Sequence, residues 1–225
     1  GVEGVMGIQA HGIGGTILAA GLLPWLLVQP AVGELNFEPW AQYVTGGWYC
    51  TGIALADFDR DGDMDIYASH RVTNDVVVML NDGNGVFESA AVCTVGNMPR
   101  YVRSSDLNGD GWPDFATPDY NGSTVSIGLH NGSERLNLHQ MIHVYKPTIL
   151  ELADVDLDGD VDVIVPHWDE AQSQPSTAPS LVTILLNDGA GNFEHGSSVP
   201  IGIQPRGMAI DDFNGDGYPD VIVCN

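Results

Sequence analysis

Beyond residue 50 the chain alternates short apolar stretches with acidic, glycine-containing ones. Apolar residues stand four and two positions ahead of an acidic segment at Ile53/Leu55, Leu150/Leu152 and Met208/Ile210, while Val102 keeps the first position and Ser104 breaks the second. A spacing of two is that of a strand with one buried face. Behind each acidic segment comes a compact apolar or β-branched run: Ile66-Tyr67-Ala68, Phe115-Ala116-Thr117, Val163-Ile164-Val165 and Val221-Ile222-Val223. The acidic segments therefore join strand to strand. Farther on, residues 76–80 run into Asn81-Asp82-Gly83-Asn84-Gly85 and Phe87, and residues 181–186 run into Asn187-Asp188-Gly189-Ala190-Gly191 and Phe193. Asn-Asp-Gly between apolar runs predicts a hairpin turn. His130-Asn131-Gly132-Ser133, after Val125-Ser126-Ile127, is a looser copy.

The acidic segments are four copies of one nine-residue pattern. They run Asp57-Phe58-Asp59-Arg60-Asp61-Gly62-Asp63-Met64-Asp65, Asp106-Leu107-Asn108-Gly109-Asp110-Gly111-Trp112-Pro113-Asp114, Asp154-Val155-Asp156-Leu157-Asp158-Gly159-Asp160-Val161-Asp162 and Asp212-Phe213-Asn214-Gly215-Asp216-Gly217-Tyr218-Pro219-Asp220. Their starts lie 49, 48 and 58 residues apart. A period of about 50 residues is that of a β-propeller blade, a four-stranded antiparallel unit that must stack on neighbours to bury both faces. The predicted order in each repeat is strand, acidic loop, strand, strand, Asn/Gly turn, strand.

Oxygen ligands at alternate positions of a tight loop suit Ca²⁺, a hard cation that takes six to eight oxygens. The expected side-chain ligands are positions 1, 3, 5 and 9: Asp57, Asp59, Asp61, Asp65; Asp106, Asn108, Asp110, Asp114; Asp154, Asp156, Asp158, Asp162; and Asp212, Asn214, Asp216, Asp220. Position 7 (Asp63, Trp112, Asp160, Tyr218) is expected to offer its backbone carbonyl, with the Asp63 and Asp160 side chains left to solvent. Glycine at position 6 permits the sharp turn. An EF-hand opens similarly but needs a bidentate Glu at position 12, where this chain has Ala68, Thr117, Val165 and Val223. Asn in place of Asp at position 3 predicts weaker calcium affinity in loops two and four.

Loop and period together resemble the FG-GAP and VCBS repeats of integrin-α-like propellers and of many secreted bacterial proteins. The resemblance spans residues 36–225 and implies an all-β propeller stabilised by about four Ca²⁺, one per loop. This chain holds three full repeats and the opening of a fourth, against roughly seven blades in complete family propellers. The implied role is an extracellular, non-enzymatic module for adhesion, ligand binding or scaffolding, its partner an unidentified protein or glycan. The alternative by the same resemblance is the propeller portion of a secreted carbohydrate-active enzyme, such as a polysaccharide lyase, or a glycan-binding lectin.

Composition agrees with bound cations. Asp plus Glu number 30 against 7 Lys plus Arg, a formal charge of −23, which repels nucleic acid and anionic membranes. At 44% hydrophobic the chain is too apolar for an acidic disordered polymer. Seventeen of the 30 carboxylates lie in or beside the four loops, counting Asp211, so four Ca²⁺ would leave −15.

Residues 1–33 differ from the rest. The run 16–28 is apolar but for Pro24, and Ala31-Val32-Gly33 offers small residues for cleavage, so 1–33 is expected to be a signal peptide or anchor and 34–225 the repeats. Export to the periplasm, cell surface or medium follows, with membrane association only if the leader stays uncleaved. Cys50, Cys93 and Cys224 are too few for a disulfide framework and are expected to be small buried residues. No catalytic motif emerges. His139 and His143 lack the Glu of a zinc-protease helix, and Gly12-Ile13-Gly14-Gly15 follows no predicted strand. The polar segment 170–180 makes the third repeat longest and reads as a flexible insertion. Trp48, Tyr49, Trp112, Tyr120, Trp168 and Tyr218 are expected to pack between repeats, and Arg100 and Arg206, each following Pro, to serve repeat structure.

Overall fold

The computed structural model describes residues 5–6, 42–133, 135–170 and 179–225. The expected leader, apart from residues 5–6, and most of the 170–180 insertion lie outside the described residues. Val5–Met6 (β1) pairs with Tyr43–Val44 (β2). The remaining strands form three four-stranded antiparallel meanders and one two-stranded sheet.

Sheet one comprises β3 (Cys50–Ala56), β4 (Asp65–His70), β5 (Asp75–Asn81) and β6 (Phe87–Thr94). Sheet two comprises β7 (Arg103–Ser105), β8 (Asp114–Asp119), β9 (Thr124–His130) and β10 (Leu136–His143). Sheet three comprises β11 (Glu151–Ala153), β12 (Asp162–Trp168), β13 (Ser180–Asn187) and β14 (Phe193–Ile201). Sheet four holds β15 (Gly207–Asp211) and β16 (Asp220–Cys224). Each acidic segment connects the first strand of its sheet to the second, and each Asn/Gly turn joins the third strand to the fourth, as the pattern predicts. No helix among the described residues is long and apolar enough to cross a membrane.

The sheets stack face to face with their first strands side by side. Strand β3 packs against β7, β7 against β11 and β11 against β15, while the last strands β6, β10 and β14 line up at the other edge. Because side chains alternate faces along a strand, consecutive residues after each loop enter different cores. Tyr67 of sheet one and Phe115 of sheet two meet in one core with Phe58, Val76, Val78 and Val102. Ala116, Val125 and Ile127 meet Leu150, Val163 and Leu185 of sheet three in the next. Polar bonds tie the sheets as well: Tyr67 Oη donates to the Pro113 carbonyl, and the Arg103 guanidinium makes a two-pronged pair with Glu151 at 2.8 and 2.7 Å.

Sheet one departs from the half-buried strand predicted for residues 53 and 55. Ile53 and Leu55 are 41% and 60% exposed, while the equivalent Val102 and Leu150 are fully buried. Val102 and Leu150 face the preceding sheet, and among the described residues no four-stranded sheet precedes sheet one. Their strand instead sends Ala54 and Ala56 toward the core shared with sheet two. The cysteine expectation also needs correcting. Cys93 is buried, Cys50 half-buried and Cys224 exposed, at the end of the two-stranded sheet, and all three are free thiols. Burial pushes the Cys93 thiol up to about 11.

Candidate metal loops

All four acidic loops share one set of side-chain-to-backbone bonds. The carboxylate at position 1 accepts the backbone N–H of the position-6 glycine, from Asp57 to Gly62 (3.1 Å), Asp106 to Gly111 (2.7 Å), Asp154 to Gly159 (3.0 Å) and Asp212 to Gly217 (2.9 Å). Position 3 accepts the N–H of position 5, so Asp59, Asn108, Asp156 and Asn214 cap Asp61, Asp110, Asp158 and Asp216. Position 5 in turn accepts the N–H of position 7, namely Asp63, Trp112, Asp160 and Tyr218. Such side-chain-to-backbone bonds two residues on are what let Asp and Asn direct a turn.

Two positions per loop are left-handed. Position 6 is Gly62, Gly111, Gly159 and Gly217, with φ between 81° and 101°. Position 4 also turns left-handed, which the sequence reading missed: Gly109 and Gly215 supply it without strain, but Arg60 (φ 62°) and Leu157 (φ 64°) adopt it with a side chain attached. Asn-Gly in loops two and four was the available signal; Arg60 and Leu157 carried none.

Position 9 has a second role that spacing did not reveal. Asp65, Asp114 and Asp162 are buried, and each uses both oxygens as backbone acceptors. One oxygen takes the position-2 N–H (Phe58, Leu107, Val155) at 2.7 to 3.0 Å, and the other takes the N–H at the end of the third strand (Asn81, His130, Asn187) at 2.7 to 2.9 Å. The residue thus clamps its loop onto the hairpin of the same sheet. Asp220 makes the first of these bonds, to Phe213. Burial pushes Asp114 up to about 6, with Asp110 and Asp106 adding repulsion and the two amides pulling the other way. Asp65 and Asp162 are raised for the same leading reason.

In loop one, a carboxylate oxygen from each of Asp57, Asp59 and Asp61 lies within 4.8 Å of the others; in loop three the same holds of Asp154, Asp156 and Asp162. These are the two loops with Asp at position 3. Asp57 Oδ1 is buried without a hydrogen-bond partner, a cost that a cation in the loop would remove. The donor set of carboxylates, amide oxygen and main-chain carbonyl suits a hard divalent cation. The Asp63 and Asp160 side chains lie over the hairpin turns, where a Cβ on Gly83 or Gly189 would come within 2.5 Å of their Oδ2.

The remaining candidates separate. His139 Nε2 meets Asn192 Oδ1 at 3.0 Å and His143 Nε2 meets Glu170 Oε2 at 3.2 Å, so the two histidines share no partner. Trp112 stacks on His130, and Tyr120 meets Trp168 edge-on, in line with packing roles; Trp48, Tyr49 and Tyr218 are exposed. Thr45 Oγ1, His70 and Asp75 form a chain of bonds at 2.6 and 2.8 Å that resembles a nucleophile, base and acid. Thr45 is 1% exposed and His70 fully buried, which gives a substrate no approach to the hydroxyl.

Stacked four-stranded antiparallel sheets, each with an acidic nonapeptide between its first two strands, define an all-β repeat protein. The chain belongs to the FG-GAP-like repeat family, whose model matches residues 106–165 and 154–223. None of the curated proteins matches it. Among solved structures it resembles a protein from Bacteroides uniformis assigned provisionally as a 6-phosphogluconolactonase, with TM-score 0.53 and 16% identity. That match covers 71% of this chain and 44% of the other, so the chain spans less than half the length of that structure.

Proposed function

We propose that the chain is part of a calcium-stabilised β-propeller, exported from the cell, that serves as a binding or scaffolding module rather than as a catalyst. The observation that carries the metal reading is the crowding of carboxylates in loops one and three, with one buried carboxylate oxygen in loop one, Asp57 Oδ1, left without a partner. Positions 1, 3, 5 and 9 would hold the ion with their side chains and position 7 with its carbonyl. When bound, the cation supplies charge neutralisation and fixes the loop; the chain's own residues set the loop's path through the backbone bonds described above. The propeller reading is supported by the side-by-side order of β3, β7, β11 and β15. Export is inferred from the apolar leader and from the family's secreted members.

The test is calcium titration by calorimetry on chelator-stripped protein, with a thermal melt at each end point. About four bound ions, tighter in loops one and three, and a clear rise in Tm support the proposal. A melting temperature unmoved by EDTA would sink the structural-metal reading.

A further inference from the structure

The acidic loops occupy one end of every sheet, because they join first strand to second; the second-to-third connections and the links between sheets occupy the other. At that opposite end lies a pocket of about 250 Å³ lined by Arg100, Tyr120, Thr148, Trp168, Pro205 and Arg206, among others. The chain has only seven Lys and Arg, and four of them gather here. The Arg100 guanidinium carbon lies over the Tyr120 ring, 3.6 Å from its centroid, Lys146 Nζ stands 5.1 Å from the same centroid, and the charges of Arg71 and Arg206 are both felt at Arg100. Burial and that mutual repulsion hold the Arg100 guanidinium below its ordinary value.

None of these three arginines forms an ion pair among the described residues, in a chain where carboxylates outnumber cations fourfold. Arg103, by contrast, is matched by Glu151. Stacking on Tyr120 leaves the in-plane N–H edge of Arg100 available, and that edge has the fork geometry that fits a carboxylate or similar oxyanion. Trp168, edge-on to Tyr120, adds an aromatic wall.

We propose that this pocket binds a small oxyanion carried on a ring or other flat apolar body, with Arg206 and Arg100 meeting the charge and Trp168 the flat face. Its volume falls just below the roughly 300–1,000 Å³ of sites for drug-sized molecules, which suits a single-ring ligand. The site would serve the binding role proposed above, yet none of its residues belongs to an acidic loop, so the two readings fail separately.

The experiment titrates the full chain, in calcium buffer, with sodium benzoate, sodium sulfate and benzamide, followed by calorimetry and tryptophan fluorescence. Benzoate is expected to saturate and to change emission in the chain but not in Trp168→Phe; sulfate should bind more weakly and compete, and benzamide should not bind. Arg206→Ala, at an exposed guanidinium, should weaken benzoate about tenfold or more at unchanged Tm, while Arg135→Ala should change nothing. Benzamide binding as tightly as benzoate, no saturable benzoate binding, or equal effects of the two arginine variants overturns the proposal. Benzoate binding with a Tm indifferent to calcium would leave this site standing and remove the metal reading instead.

Discussion

The guanidinium of Arg60, in the first acidic loop, lies over the indole of Trp112 in the second, 3.8 Å from the ring centroid. Its Nη2 also donates to the Asp110 carbonyl at 3.3 Å, and Trp112 stacks in turn on His130, which meets Phe58 edge-on. Neighbouring loops are thus joined across the sheet boundary by a residue whose backbone is itself left-handed. Arg60→Ala should lower stability by about 0.5–1 kcal/mol for the cation–ring contact, read by urea denaturation. Trp112→Ala in the Arg60→Ala background should cost less than Trp112→Ala alone; full additivity would show that the contact carries no energy.

The double acceptor at position 9 separates structural from metal roles. Asp162→Ala strands the half-buried N–H of Val155 and the buried N–H of Asn187 and should destabilise by about 2 kcal/mol with or without calcium. Asp156→Ala removes an exposed carboxylate whose one backbone bond is to the exposed Asp158 N–H, and should lower Tm much more with calcium present than in EDTA. Equal losses from both variants in EDTA would contradict the clamp.

Gly128 in β9 sits across from Phe115 in β8, and a Cβ there would fall 2.0 Å from the Phe115 ring. The ring belongs to the core between sheets one and two and has nowhere to retreat. Gly128→Ala should therefore cost about 1–3 kcal/mol through overpacking, seen as a lower urea midpoint at unchanged slope.

Asp119 is buried at the end of β8, where its Oδ2 takes bonds from the Thr124 and Ser126 hydroxyls, Ser126 Oγ in turn accepts the Gly96 N–H, and Asp119 Oδ1 takes none. Burial pushes it up to about 7, against those bonds, which pull it down. A raised carboxyl value means that the folded chain keeps a proton the unfolded chain releases. Its contribution to stability is fully present below about 4, the ordinary value, and is lost as pH rises through about 7. Asp119→Asn should flatten that fall, so the stability difference between the two chains should grow in favour of the variant from pH 4 to pH 8. A constant difference across that range would show that the group does not titrate there.

Much of this molecule was written in its one-dimensional pattern. Period-2 stretches, Asn-Gly turns and a nonapeptide repeated about every 50 residues determined strand order, the meander in each sheet and the place of each loop, because all of these arise within one repeat and rest on local backbone preferences. Glycine at position 6 was legible for the same reason. What the sequence left open concerns contacts between repeats or across strands far apart in the chain. Nothing in Arg60 announces Trp112, nor in Arg103 its partner Glu151, 48 residues away. The exposure of Ile53 and Leu55 depends on which sheet lies alongside, so an identical pattern buries Val102 and Leu150 but not them. The gathering of Arg71, Arg100, Lys146 and Arg206 is likewise invisible along the chain, since each stands in a different connection. Only the stacking of sheets brings those connections to one end, and only there do scattered charges become a site.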